Sequence, residues 1–411
     1  MKINKHCFPN GLRLVHYEDT STQMVALNIV YDVGARDEHP EHTGFAHLFE
    51  HLMFGGSAHI PDYDTPLQLA GGENNAWTNN DITNYYLTVP KPNVETAFWL
   101  ESDRMLELAF SEQSLEVQRG VVMEEFKQRC LNQPYGDVGH LLRPLAFRVH
   151  PYRWPTIGKE LSHIEQATLD EVKSFFYRFY APNNAVLAVT GNISWDETVR
   201  LTEKWFAAIP RRDVPVRRLP QEPEQTQERR LTVERNVPLD ALFMGYHMCS
   251  RESADYYAFD ILSDILSNGR SSRLNRRLVQ EQNIFSGIDA YISGTRDAGL
   301  LQISGKPAAG VSLEQAEAAV RKELEELRQS PVGEQELEKV KNKFESTQIF
   351  GNINYLNVAT NLAWFELTGK AEDIDLEVER YRSVTTEQLY TVAQRSFCEN
   401  NTVVLYYKSD K

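Results

Sequence analysis

At 411 residues the chain is longer than one ordinary hydrophobic core organises, so two or more domains are expected. Hydrophobic residues make up 41% and charged residues 25%, a globular composition, and no run of eighteen apolar residues marks a membrane span. The net charge of -15 excludes a protein built to grip nucleic-acid phosphates, which needs a basic surface.

The N-terminus, MKINKHCFPNGLRLV, carries neither the apolar stretch nor the small-residue cleavage site of a signal peptide, so a cytoplasmic location is expected. LRLVHYED and MVALNIVYDVG read as a pair of strands. From Phe45 the period becomes helical, with Phe45, Leu48, Phe49, Leu52 and Met53 on one face. Within it stands His47-Leu48-Phe49-Glu50-His51. Residues four apart share a face of a helix, so both imidazoles can reach one ion, with Glu50 close enough to touch water there. The order is the inverted zinc motif H-x-x-E-H. Zinc suits it, because imidazole is a borderline ligand and a catalytic zinc keeps three protein ligands and one open position. Two histidines could instead solvate a surface, but these lie inside the apolar face, where unpartnered imidazoles are costly.

GGENNAWTNND then leads into ITNYYLTV, a strand. The segment from Glu116 to Gln128 reads as a helix with Glu124 and Glu125 in its middle. Either could be the third metal ligand or simply solvated surface, and position alone does not choose. TLDEVKSFFYRFYAPNNAVLAV, from Thr168, gives a helix, an Asn-Asn turn and a strand. RRDVPVRRLPQEPEQTQER, at 211–229, has three prolines, many charges and no apolar period, which makes it a linker.

The second half repeats the first. TTEQLYTVAQRSFCENNTVVLYY, from Thr385, overlies the Thr168 segment, with Asn183–Asn184 on Asn400–Asn401. The same displacement sets Arg13–Leu14 on Arg230–Leu231, opening the strand pair RRLTVERN and ALFMGYHM. FAHLFEHLMFGGS matches FDILSDILSNGRS from Phe259, and there Ile261, Asp264 and Ile265 replace His47, Glu50 and His51. A duplication is expected, with chemistry in one copy and packing in the other. LLQISG and LEQAEAAVRKELEELRQ supply a further strand and helix. The predicted class is α+β: two homologous domains at 1–212 and 230–411, joined by 213–229, each a mainly antiparallel sheet with packed helices. Cys7, Cys130, Cys249 and Cys398 are scattered and form no disulfide framework or CxxC pair.

Taken together, HTGFAHLFEHLMFGGS, GGENNAWTNNDITNYYLTV, RGVVMEEF and GRSSRL resemble the pitrilysin (M16) family of zinc peptidases, in its short two-domain subunit form. This is the family of insulin-degrading enzyme and mitochondrial processing peptidase, and the likeness covers nearly the whole chain. The resemblance implies a zinc metalloendopeptidase in which His47, His51 and Glu125 ligate one Zn2+ and Glu50 is the general base. Glu124 is the fallback ligand. Asn75 and Ala76 match the edge-strand segment that holds the substrate backbone in such enzymes. The family's chamber is a clamshell, of which this chain would form half, and its substrates are peptides or unfolded segments.

Three positions depart from the family pattern. An acidic residue often stands seven before the glutamate ligand; here it is Gln118, with Glu116 nearby. Active relatives also present an Arg and a Tyr, seven apart, after a segment like GRSSRL, whereas alignment here gives Val279 and Ser286. The resemblance therefore implies the zinc-bearing subunit of a heterodimer whose homologous partner carries the Arg/Tyr pair. A self-sufficient homodimer using Tyr291 or Arg296 is the alternative. A scaffold subunit or a zinc-dependent binding protein without turnover would have no need of Glu50.

Overall fold

The computed structural model describes residues 1–410. Its strands form two sheets. The first holds β1 (Ile3–Cys7), β2 (Arg13–Glu18), β3 (Met24–Tyr31), β4 (Glu73–Thr78), β5 (Thr83–Pro90) and β6 (Ala185–Gly191), in the order β1-β2-β6-β3-β5-β4. The second holds β7 (Arg229–Arg235), β8 (Ala241–His247), β9 (Phe285–Ile292), β10 (Leu300–Pro307) and β11 (Thr402–Ser409), in the order β7-β11-β8-β10-β9. Around them pack helices that include α1 (Phe45–Leu52), α2 (Glu112–Phe126), α3 (Val138–Ala146), α4 (Leu169–Phe179), α5 (Tyr256–Ser267), α6 (Glu334–Gly351), α7 (Tyr355–Thr368) and α8 (Thr386–Ser396).

Leaving β1 aside, the two sheets have one topology. Each has a single parallel pair, β2 with β6 and β7 with β11, and every other pairing is antiparallel. The mixed α+β class and the internal duplication are both visible here. Local chemistry repeats as well. Thr168 caps α4 by accepting from the Glu171 N–H, and Thr385 caps α8 by accepting from the Gln388 N–H. The Asn184 amide donates to the carbonyls of Asp32 and Phe179, and the Asn401 amide donates to those of His247 and Ser396. The repeated Asn-Asn turn thus ties the end of a helix to the end of a strand in both copies.

The chain divides into two compact units that interleave the sequence halves. One comprises 1–127, 154–219 and 348–377; the other comprises 128–153, 220–347 and 378–411. In the first unit, α7 lies on the sheet face opposite α1, packing Val358, Ala359, Leu362 and Ala363 against Val15, Ala26, Val30, Val186 and Ala188. In the second unit, Leu142 and Ala146 of α3 pack on Ala241, Leu300, Val403 and Leu405. Covering a sheet on both faces demands apolar residues at successive positions, which is why MVALNIVY and AVLAV run without polar alternation. The expected linker is extended, and it is fastened in each unit. Arg217 binds Asp32 and Asp37 in the first, while Glu222 accepts from the N–H groups of Arg148, Val149 and His150 in the second.

Candidate metal centre

Helix α1 is eight residues long, and five of its six buried residues are apolar or aromatic. Phe49 stacks on Phe175 of α4 at 5.3 Å between ring centroids, and Tyr85 of β5 donates its hydroxyl to the Phe49 carbonyl at 3.0 Å. The helix starts after Gly44, whose φ of 89° lies in the left-handed region that glycine enters freely. A Cβ there would stand 2.7 Å from Ile164 Cδ1 and 2.9 Å from the Ile157 carbonyl oxygen, so the close approach itself requires glycine. The Glu38 carboxylate completes this end, one oxygen accepting from Gly44 N–H and the other from Ala46 N–H, both at 2.9 Å. Burial pushes the Glu38 carboxyl up to about 8, against the pull of those two N–H groups.

With α1 fixed, His47 and His51 project from successive turns, their rings 5.0 Å apart and nearly perpendicular. Glu125, from the last turn of α2, meets them. Its Oε2 lies 3.6 Å from His47 Nε2 and 3.3 Å from His51 Nε2. One ligand atom from each of the three residues falls within 4.8 Å of the others. Donors arranged tetrahedrally about one zinc at ~2.1 Å stand roughly 3.4 Å apart, so two imidazole nitrogens and a carboxylate at these spacings fit that ion. Glu124 goes elsewhere: its side chain is 57% exposed and approaches Lys127 at 3.7 Å. Glu116 pairs with Arg119 at the surface, while Arg119 also donates to the Ala167 carbonyl at 2.6 Å.

Glu50 sits on the same helix, partly buried, and its charge is felt by the phenols of Tyr85 and Tyr180, both held well above their ordinary pKa chiefly by burial. Behind Tyr85 lies Arg104, wholly buried and paired with Glu101. The Arg104 guanidinium stacks over the rings of Tyr85, Tyr63 and Phe54 at 4.4, 4.6 and 5.3 Å. Tyr63 donates to Glu101 at 2.6 Å, closing the cluster. Neither Glu38 nor Tyr85 stands out in the sequence. The only available signal is an acidic residue shortly before a Gly-Phe helix start.

β4 ends its sheet, hydrogen-bonded on one side only, to β5. Ala76 packs toward the core cluster that includes α1, whereas Trp77 packs toward the cluster that includes α7. The Ala76 N–H donates to the Asn75 side-chain oxygen at 2.8 Å, an arrangement for an amide turned away from the neighbouring strand. Asn75 itself is exposed.

In the second unit, α5 occupies the position of α1 and β9 that of β4. Ile261 and Ile265 are buried there, and Asp264 accepts from Asn268 at 2.7 Å, its carboxyl raised by burial. An open cleft of about 550 Å3 lies beside them, lined by Asp260, Asp264, Asp289 and Tyr291 among others. Val279 packs against the core and Ser286 is exposed on β9, bonding the Lys306 carbonyl. Tyr291 is 48% exposed, and Arg296 pairs with Glu252.

Comparison with known proteins gives the family. Residues 13–158 match the family model described as "Insulinase (Peptidase family M16)", and 166–344 match "Peptidase M16 inactive domain". The chain belongs to peptidase family M16. Among M16 relatives, it is 26% identical to the zinc protease PqqE of Helicobacter pylori over 405 residues, covering 97% of this chain and 91% of that one. It is 25% identical to the uncharacterized zinc protease YmxG of Bacillus subtilis, with 98% of each chain covered. The crystal structure of a protease from Helicobacter pylori superposes with a TM-score of 0.93 at 25% identity, over 99% of each chain. A putative M16-like peptidase from Alicyclobacillus acidocaldarius shares the fold, with a TM-score of 0.87 at 19% identity over 100% of this chain and 98% of that one. The relatives named as zinc proteases place this chain in a metalloprotease family.

Proposed function

We propose that this chain is a zinc-dependent endopeptidase acting on peptides or unfolded segments held in an enclosed chamber. In this reading His47, His51 and Glu125 hold one zinc ion, and Glu50 is the general base. The observation that carries it is the convergence of two imidazoles and one carboxylate, from two helices, beside a partly buried Glu50 and an open strand edge. Zinc bound there supplies Lewis acidity, polarising a carbonyl and making water a nucleophile at neutral pH. Glu50 accepts the proton released as water attacks and returns it to the leaving amine. Asn75 and Ala76, at the free edge of β4, bind the substrate backbone as an added strand, which tolerates many side chains.

Val279 offers no side-chain donor and the Ser286 hydroxyl donates to the Lys306 carbonyl, so neither replaces an Arg/Tyr pair; a homologous partner chain provides that pair and this chain is the zinc-bearing subunit. The test is zinc content and hydrolysis of an unstructured peptide, by the wild-type chain and by Glu50→Gln, each assayed together with the native partner. The expected result is at least about a hundredfold loss of turnover in the variant, with zinc content retained. Equal turnover by the two proteins rejects the assignment of Glu50. The subunit arrangement is checked separately by assaying the chain alone and after pull-down of its native partner. Equal rates in the two favour a self-sufficient homodimer.

A further inference from the structure

An added strand alternates its side chains between the two faces of the sheet it joins. On β4 those faces are distinct. Ala76 faces the α1 cluster, while Trp77 faces the α7 cluster and Glu73 and Asn75 are exposed. Every second side chain of a peptide paired with β4 therefore projects away from the metal-helix face, toward whatever lies at the start of α7.

What lies there is apolar and uncovered. Ile349, Phe350 and Ile353 are 56%, 70% and 70% exposed. Single exposed hydrophobics are ordinary, but three large ones within five residues make a patch. The segment is held in shape, with backbone bonds Asn352 N–H to Gln348, Ile353 N–H to Phe350 and Asn354 N–H to Gly351. Asn354 then caps α7 by accepting from Leu356 and Asn357. The next residue, Tyr355, packs against the same cluster as Trp77, and its phenol reaches the Thr88 side chain beside Glu73. Two residues along the chain the patch therefore meets Tyr355, which shares its cluster with Trp77 of β4.

We propose that Ile349, Phe350 and Ile353, with Trp77 and Tyr355, form an apolar subsite for a large hydrophobic side chain of an extended peptide. The subsite rests on the reading of β4 as the substrate strand. It makes the preferred substrate a segment carrying leucine or an aromatic residue in phase with the α7 face, and it leaves the residues facing the metal helix to other contacts.

The test uses the full chain with Glu50→Gln, loaded with zinc, so that bound peptide stays intact. A single leucine is walked through a polar, extended fluorescent peptide, and binding is followed by anisotropy. Leucine should tighten binding about tenfold at alternate positions, the gain expected from burying one large apolar side chain. Phe350→Ser combined with Ile353→Ser, both at exposed positions, should cut that gain to within about twofold and leave the all-polar peptide's affinity unchanged. A leucine gain that persists in the double variant overturns the subsite. So does sedimentation in which the double substitution splits a wild-type dimer while the leucine preference stays, which would make the patch a contact between copies. If, with the native partner present, the wild-type chain cleaves no peptide and the Glu50→Gln chain binds none, the peptidase reading falls with it. Cleavage and binding with a patch-independent leucine gain remove the subsite alone.

Discussion

Two adjacent glutamates on one helix show how much a rotation of 100° decides. Glu125 reaches both histidines, while Glu124 reaches Lys127 and solvent. Substituting Glu125→Ala should weaken zinc binding by at least about a hundredfold in competition with a chelator, since it removes one of three protein donors. Glu124→Ala should change it by less than about twofold, because a surface pair contributes little. The reverse pattern would reassign the ligand. Glu38 offers a second test at this scale. Its carboxyl is raised in the folded state to about 8 from an ordinary 4.5, so the unfolded chain releases the proton first as pH rises. Its contribution to stability is therefore fully present below the ordinary value and is lost as pH climbs from there through about 8. In metal-free protein, urea melts at pH 5 and pH 8 should show a larger loss of stability for wild type than for Glu38→Gln. Equal losses would mean that the carboxyl titrates normally.

At the scale of the element, α1 is short enough that its start and its anchor points control both histidine-bearing turns. Gly44→Ala forces an L-residue to φ 89° and drives a methyl toward the Ile157 carbonyl. The expected penalty is about 1–3 kcal/mol, seen as a lower melting temperature in metal-free protein, with weaker zinc binding as the helix start shifts. An unchanged melting temperature would show that the start is more pliant than its contacts suggest. The helix and its H-x-x-E-H order were legible in the sequence because both are local, fixed by a 3.6-residue period. Glu125 was not separable from Glu124 by spacing, because the choice depends on which side of α2 packs against α1. Nor could the sequence show Glu38 reaching forward to cap α1, or Tyr85 bonding Phe49 from another strand. Each is a contact between segments that sequence pattern leaves unconnected.

Across the whole molecule, the duplication was readable from segments in register, and the matching strand orders express it in three dimensions. The place of β4 at a sheet edge was not derivable from its residues, since strand order is a non-local property. The exchange of α3 and α7 between the sequence halves was hidden for the same reason. Each helix follows its own half along the chain yet packs on the sheet of the other half. A fragment ending at residue 230 therefore keeps His47, His51 and Glu125 but loses α7, baring Val15, Ala26, Val30, Val186 and Ala188 on one sheet face. Such a fragment should aggregate or bind a hydrophobic dye strongly, as read by size-exclusion and dye fluorescence. A monodisperse, dye-silent fragment would show that the face needs no cover.

The same exchange sets a timetable during synthesis. His47, His51 and Glu125 leave the ribosome within the first third of the chain, but the helix that seals the far side of their sheet is among the last segments made. The first unit must wait, with one face open, while residues 220–347 are added, and segment 128–153 waits for strands not yet translated. A nascent chain held unfinished in this way gains the framework around His47, His51 and Glu125 only near the end of translation.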